Sequence, residues 1–317
     1  MEDTRPTAAR LRLSFDPARL LADYETVRGR SWAPKGSYRE PAGDPGGGWR
    51  CIPLRSQGGR SDRTDPGGPG TEGFADTPLL AELPYLREVL ASLPMPLRSA
   101  RLLALVPGGV IEVHSDAPQG LGFGMVRLHI PIVTNPAASL TIGGESYNWD
   151  AGQLWYGDFG REHGGENRGD TARVHLVMDA EVTPALVDLF PADAVAALAP
   201  EGILFTRMPV GWDAAGFAPL RTSVPAAFFA WGSPLDEREG EPDQPASIHA
   251  VGDALRLTVD GGPTYGLVHV GDLEFRIEGW ISERTLQLHP SAPRPHALFA
   301  AYRAASRSAL RRKLLPA

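Results

Sequence analysis

Cysteine is almost missing from this chain: Cys51 stands alone among 317 residues, so no intramolecular disulfide can staple the fold. Such usage suits a reducing cytoplasm. No run of about eighteen apolar residues occurs, which argues against a membrane-spanning helix. The polar opening MEDTRPTAAR lacks a signal-peptide core, and a cytoplasmic protein is the expectation. An excess of basic charge is missing too. Lys and Arg total 31 against 38 Asp and Glu, and the net charge of -7 argues against general affinity for nucleic acid or an anionic membrane. There is no Walker-type phosphate loop, no His-Glu-x-x-His and no Gly-x-Ser-x-Gly, so nucleotide, zinc-protease and serine-hydrolase readings have no local support.

What the chain does have is enough apolar residue, 42%, to bury a substantial core, and many turn formers, with 36 Gly and 30 Pro. LRLSFDPARLLADYETVRG predicts a strand and then a helix, with Asp16 as N-cap and Pro17 at the first helical position. A Gly/Pro-rich tract from about Lys35 to Asp76 follows, containing one strand-like run, WRCIPLR, and it is expected to act as a lid. LLAELPYLREVLASL has helical spacing. Five short β-like runs between Ser99 and Ala180, separated by turn signals, have the pattern of a sandwich or barrel. Beyond them PALVDLFPADAVAALAP is helical, and the residues from Ala246 to Pro290 alternate like a second antiparallel sheet. PLDEREGEPDQPAS is expected to be an exposed linker. The trailing HALFAAYRAASRSALRRKLL has amphipathic-helix spacing. The expected fold is therefore mainly β with flanking helices. A double-stranded β-helix, a jelly-roll or cupin-like barrel, occupies residues 1–182, and a small α+β accessory domain occupies residues 183–317.

Chemistry concentrates in two places. GGVIEVHSDAPQG ends an apolar strand on His114 and Asp116, which period-two alternation directs to one side. Two ligands rarely suffice for an open metal centre, and a third candidate is His163 in GQLWYGDFGREHGG. Strands distant in sequence are neighbours in a jelly roll, so His114, Asp116 and His163 can form a two-histidine, one-carboxylate set with its opposite face free, which suits non-haem Fe(II). Taken alone, His114 and Asp116 are more often a surface pair at a strand end than metal ligands, and it is the joint pattern with His163 that changes the reading. GLGFG is read as a loop, and Trp149 and Trp155 as barrel-wall residues.

The block from Arg101 to Asp179, with PGGVIEVHSD, RLHIPIVTN and WDAGQLWYGDFGREHGGENRGDTARVHLVMD, resembles the aspartyl/asparaginyl β-hydroxylase family of Fe(II)/2-oxoglutarate dioxygenases. Its bacterial branch of proline cis-4-hydroxylases is the more similar, because it keeps the carboxylate of His-x-Asp. The resemblance implies Fe(II), 2-oxoglutarate and O2 as cofactor and cosubstrates. It implies that Arg173, ten residues after His163, pairs with the far carboxylate of the keto acid, a geometry that a lysine cannot copy. Arg127 and His129 match positions that line the cosubstrate or substrate pocket, and Asn167 a supporting position. His175 is read as a buried core histidine. The implied reaction decarboxylates 2-oxoglutarate to succinate and CO2 and hydroxylates an unactivated C–H of an amino-acid side chain.

For the substrate, the lid region and the extra C-terminal sheet favour a residue in a small peptide, aspartate first, over a free amino acid such as proline. Arg55, Arg60 and Arg63 are candidate carboxylate receptors, with solvated loop residues as the plainer reading. Two readings of another class are a metal-binding module without turnover and a His2Asp zinc hydrolase. An arginine at the Arg173 position speaks against both.

Overall fold

The computed structural model describes residues 5–36, 48–117, 119–199, 202–214, 217–229, 241–281, 283–288, 298–303 and 310–314. Two compact units emerge. One comprises Met1–Gly67, Phe74–Leu121 and Met125–Pro200, and the other Gly68–Gly73, Gly122–Gly124 and Glu201–Ala317.

In the first unit the chain opens with β1 (Ala8–Ser14) and α1 (Pro17–Val27). Asp16 caps α1, its carboxylate accepting from the N–H groups of Ala18 and Arg19. β2 (Ala33–Pro34), β3 (Trp49–Gln57) and β4 (Phe74–Asp76) come next. The tract expected to be a lid thus contributes two paired strands. β3 buries Cys51, Ile52 and Leu54 as one continuous run and pairs with β5, and that burial outweighs its flanking glycines. Residues 37–47 of that tract lie outside the described residues. The helix expected from Leu79 to Leu93 is divided into a short 3-10 turn, Pro78–Glu82, and α2 (Pro84–Ser92). Pro84 has no N–H with which to continue the first turn. Asp23 of α1, itself buried, accepts the Leu86 N–H at 2.7 Å and ties the two helices together.

The barrel strands are β5 (Leu97–Leu105), β6 (Val110–His114), β7 (Met125–Val133), β8 (Ala138–Ile142), β9 (Glu145–Tyr147), β10 (Gln153–Gly157), β11 (His163–Asn167) and β12 (Arg173–Glu181). They form a large sheet ordered β1-β10-β7-β12-β5-β3-β2, with β4 on β3, and a small sheet ordered β6-β11-β8-β9. All their pairings are antiparallel. From β5 onward the chain passes back and forth between the two sheets, and that alternation makes a double-stranded β-helix, the jelly roll. β5 and β12 lie at the centre of the large sheet and are buried along almost their whole length. Between the sheets Leu140 and Ile142 of the small one pack with Trp149 and Phe159, joined by Trp155 of the large one. Trp149 and Trp155 stack at 5.2 Å with planes 6° apart, in keeping with a role in the wall. α3 (Pro184–Val187) and α4 (Ala192–Leu198) close this unit, so the helical stretch that was expected to begin an accessory domain groups with the barrel.

The second unit is a meander. β13 (Leu220–Val224), β14 (Gln244–Val251), β15 (Ala254–Val259), β16 (Thr264–His269), β17 (Glu274–Ile277), β18 (Arg284–Leu288), β19 (Leu298–Tyr302) and β20 (Leu310–Leu314) pair in sequence order. Its described residues form strands with one short 3-10 turn, Ala226–Phe229, and not the expected α+β mixture. The amphipathic spacing at the C-terminus corresponds to β19 and β20, because cross-strand pairing, of β19 with β18 and of β20 with β19, overrides helical propensity there. The expected linker lies partly outside the described residues, and its last part, from Gln244, begins β14. Among the described residues no helix is long and apolar enough to cross a membrane.

Candidate metal centre

The register of the small sheet brings two histidines together. His163 opens β11 and stands directly opposite His114, the last residue of β6, with ring centroids 4.2 Å apart. From Ile111 to His114 β6 advances one residue more than β11, a bulge that re-aims the strand end. Glu112 and Val113 are consequently both exposed. The pleat argument fails here, since β6 ends at His114 and Asp116 lies beyond it. The Asp116 N–H donates to the Phe159 carbonyl at 2.9 Å, and its Oδ1 returns to within 3.9 Å of His114 Nε2. Ligand atoms of His114, Asp116 and His163 all lie within 4.8 Å of one another.

β11 was not expected as a strand because its sequence is His-Gly-Gly-Glu-Asn. Its glycines are what allow it to pair on both sides. A Cβ on Gly164 would come within 2.9 Å of the Ile111 carbonyl oxygen, and one on Gly165 within 2.7 Å of that of Ser139. Asn167 pins the other end: its Nδ2 donates to the carbonyls of Leu105 (2.9 Å) and Thr171 (2.8 Å), and its Oδ1 accepts the Gly169 N–H.

The donor chemistry fits a divalent metal. His114 Nδ1 lies 2.7 Å from the Glu112 carbonyl and His163 Nδ1 3.0 Å from that of Arg161. A carbonyl only accepts, so each Nδ1 carries the proton and each Nε2 keeps its lone pair. Burial pushes the His163 pKa down to about 4, so its ring is neutral near pH 7, the ligating form. Burial also works against the Asp116 anion, but Arg127, Lys35 and the two histidines outweigh it and hold the carboxyl below its ordinary range. Two imidazoles whose Nδ1 atoms are held by carbonyls, together with one carboxylate, are a donor set for non-haem iron.

A pocket of about 440 Å³, open to solvent, adjoins His163 and is lined from both sheets. Its charged lining is cationic: Lys35, Arg101, Arg127 and Arg173. Arg127 is engaged by two carboxylates, contacting Asp116 through Nη1 and donating from Nε to Asp179 at 2.7 Å. Asp179 also accepts from Ser99 (2.8 Å) and from Arg101 (2.9 Å). Arg127 therefore braces the carboxylate of Asp116. Arg173 differs. It is buried at the start of β12, burial pushes its pKa down to about 10, and among the described residues its guanidinium meets only His175 Nδ1, at 3.1 Å. A guanidinium only donates, so His175 Nδ1 is the acceptor, and His129 Nδ1, also 3.1 Å from it, carries a proton. Burial, seconded by Arg173, keeps both imidazoles neutral. This leaves His129 Nε2 a bare, buried acceptor. His175 is thus more than a core residue, since it orients Arg173.

The three lid arginines carry no site: Arg55 pairs with Asp76, Arg60 with Asp62 and Arg63 with Asp65, at 2.6, 2.7 and 2.7 Å. Sequence reading passed over Arg101, Asp179 and Lys35. The first two are legible as charges inside the apolar runs ARLLALV and ARVHLVMDA, where an uncompensated ion would be costly and a partner is therefore expected. Lys35 has no such signal.

A double-stranded β-helix with a two-histidine, one-carboxylate cluster at its mouth defines a class of metal-competent barrels. Within it, the family described as Aspartyl/Asparaginyl beta-hydroxylase matches residues 18–183, and the chain belongs to that family. L-proline cis-4-hydroxylase of Rhizobium meliloti (strain 1021) is 27% identical over 174 residues, which span 54% of this chain and 60% of the relative. Among solved structures, HygX from Streptomyces hygroscopicus with nickel and 2-oxoglutarate bound is 12% identical, with a TM-score of 0.35 over 56% of this chain and 84% of that one. The viral collagen prolyl hydroxylase of Paramecium Bursaria Chlorella virus-1, in its 2OG complex, is 9% identical, with a TM-score of 0.33 over 56% and 97%.

Proposed function

We propose that the chain is an Fe(II)- and 2-oxoglutarate-dependent hydroxylase acting on a C–H bond of an amino-acid side chain. The observation that carries this reading is the pairing of the His114, Asp116 and His163 cluster with Arg173, a buried cation whose guanidinium has no carboxylate partner among the described residues. His114, Asp116 and His163 would hold the iron, and Arg173 would take the far carboxylate of the keto acid. When bound, the metal supplies oxygen activation, with the keto acid as the source of two electrons. The protein's own residues do the rest. The backbone carbonyls of Glu112 and Arg161 hold the two imidazoles in the ligating tautomer, Arg127 fixes the carboxylate, and His175 orients Arg173. Leu103, Ile111, Leu140 and Val177 supply an apolar lining that excludes water from the reacting bond.

A free amino acid is the first candidate substrate, supported by the relative named L-proline cis-4-hydroxylase. An aspartate in a peptide is the second. It is supported by β6, which is an outer strand of the small sheet with Val113 71% exposed beside His114, a place where an extended segment could pair. The domain division is likewise proposed, with a barrel that carries the site and a C-terminal unit that adds a sheet outside the family match. The test is succinate formation by anaerobically Fe(II)-loaded protein given 2-oxoglutarate and O2, with free proline, aspartate, asparagine and Asp-containing peptides, for wild type and His163→Ala. Succinate that rises with one substrate and vanishes in the variant is the expected result. Metal binding without succinate under every condition would overturn the reading in favour of a binding module or a hydrolase.

A further inference from the structure

The charge of the pocket does not balance. Of its four cations, Arg101 and Arg127 share Asp179, and Arg127 also holds Asp116. Arg173 is left for the keto acid on the reading above. Lys35 remains. Its backbone N–H is held by the Trp49 carbonyl at 3.1 Å, its ammonium lies 4.3 Å from the Trp49 ring centroid, and the side chain lines the same pocket as His163. Trp49 in turn lies 6.4 Å from the His114 ring, so the ammonium is held at the metal end of the pocket. Among the described residues this ammonium makes no ion pair and no hydrogen bond; Arg127 and Arg101 repel it, and the Asp116 carboxylate, beyond ion-pair distance and already held by Arg127, attracts it. Burial, with that repulsion added, pushes its pKa down to about 8. A cation kept in a desolvated site among other cations, with only an aromatic face beneath it, is a receptor for an anion.

We propose that Lys35 binds a carboxylate of the substrate and so restricts the pocket to substrates that carry one. The carboxylate is either the α-carboxylate of a free amino acid or the side-chain carboxylate of an acidic residue. The word substrate rests on the hydroxylase reading, whereas the anion-binding role of Lys35 does not.

The test is calorimetric titration of the full-length protein, loaded with Mn(II) and 2-oxoglutarate, using two matched pairs of probes. One pair is L-proline and L-prolinamide. The other is acetyl-Gly-Asp-Gly-amide and its Asn counterpart. Wild type is expected to bind the acid of at least one pair at least about tenfold more tightly than its amide, and the responding pair names the source. In Lys35→Met and Lys35→Gln that ratio falls below about threefold, while the Kd for 2-oxoglutarate stays within about twofold. Folding of both variants is checked by circular dichroism, and both are expected to fold because, among the described residues, the Lys35 ammonium makes no ion pair or hydrogen bond to lose. A ratio near one for both pairs in wild type, no binding of any probe, or a ratio that survives both substitutions would overturn the proposal. An equal loss of 2-oxoglutarate affinity would do so too, by assigning Lys35 to the keto acid. If wild type fails to bind 2-oxoglutarate yet discriminates acid from amide through Lys35, the hydroxylase reading fails and the Lys35 assignment stands.

Discussion

At the residue scale, Arg173 shows how a single side chain separates binding from support. Arg101 is paired with Asp179 and Arg127 with Asp179 and Asp116, so the two positive charges face two negative ones inside the protein. Arg173 meets only an imidazole lone pair, which orients it without neutralising it. Arg173→Lys is expected to raise the Kd for 2-oxoglutarate by about 30-fold or more, because an ammonium cannot reproduce the paired N–H donors and a buried charge pair is sensitive to its geometry. Metal affinity should hardly change. Calorimetry with Mn(II)-loaded protein reads both, and an unaltered Kd for the keto acid would remove Arg173 from that role. Cys51 is the opposite case, a buried thiol that burial pushes up to about 12, which makes it an inert part of the wall.

At the element scale, the site depends on β11, the least strand-like strand of the barrel. Gly164 and Gly165 let β6 and β8 close upon it, and that closure sets His163 opposite His114. Gly165→Ala places a methyl group 2.7 Å from the Ser139 carbonyl oxygen, where backbone must move. The expected outcome is a loss of about 1–3 kcal/mol in chemical denaturation, together with weaker metal binding although no ligand is altered. Wild-type stability with wild-type metal affinity would show that the small sheet does not position the ligands. The sequence marked the candidate ligands but concealed this element, because glycine lowers every estimate of strand propensity while close backbone approach is a property of the assembled sheet. The bulge in β6 was hidden for the same reason, since it is defined only against a partner strand.

At the scale of the whole molecule, Asp179 links the large sheet to the site. It is buried between Arg101 on β5 and Arg127 on β7, and Arg127 carries the connection onward to Asp116. Burial opposes its ionisation, but Arg127, Arg101 and Ser99 outweigh it, so its folded-state pKa lies well below the ordinary 3.8. A carboxylate depressed in this way contributes stability that is fully present above its ordinary pKa and is lost as pH falls through the acid range toward the folded value. Asp179→Asn is expected to cost about 3–5 kcal/mol near neutrality, because the buried Arg101 loses its counter-ion and Arg127 loses one of its two. The difference from wild type should narrow below about pH 4. Denaturation curves across pH check this, and a difference that stays constant into acid would show that Asp179 contributes packing rather than charge. The C-terminal meander is the other whole-chain feature, and there the sequence misled about the last elements: helical spacing in HALFAAYRAASRSALRRKLL gave way to two strands, β19 pairing with β18 upstream and β20 pairing back on β19.

The sequence by itself determined the barrel, its first helix with the Asp16 cap, the identity of the three candidate ligands and the arginine ten residues beyond the last of them. Those features are written in local alternation, capping chemistry and fixed spacing, which a chain carries before it folds. Only the tertiary structure decided that Asp116 reaches the histidines from beyond the strand end, that Arg127 braces this candidate ligand, that Asp179 pairs with Arg101 and Arg127, and that Arg101 and Lys35 line one pocket. Pairing of charges and balance of a pocket depend on distances between strands remote in sequence, and those distances exist only once the two sheets have closed on each other.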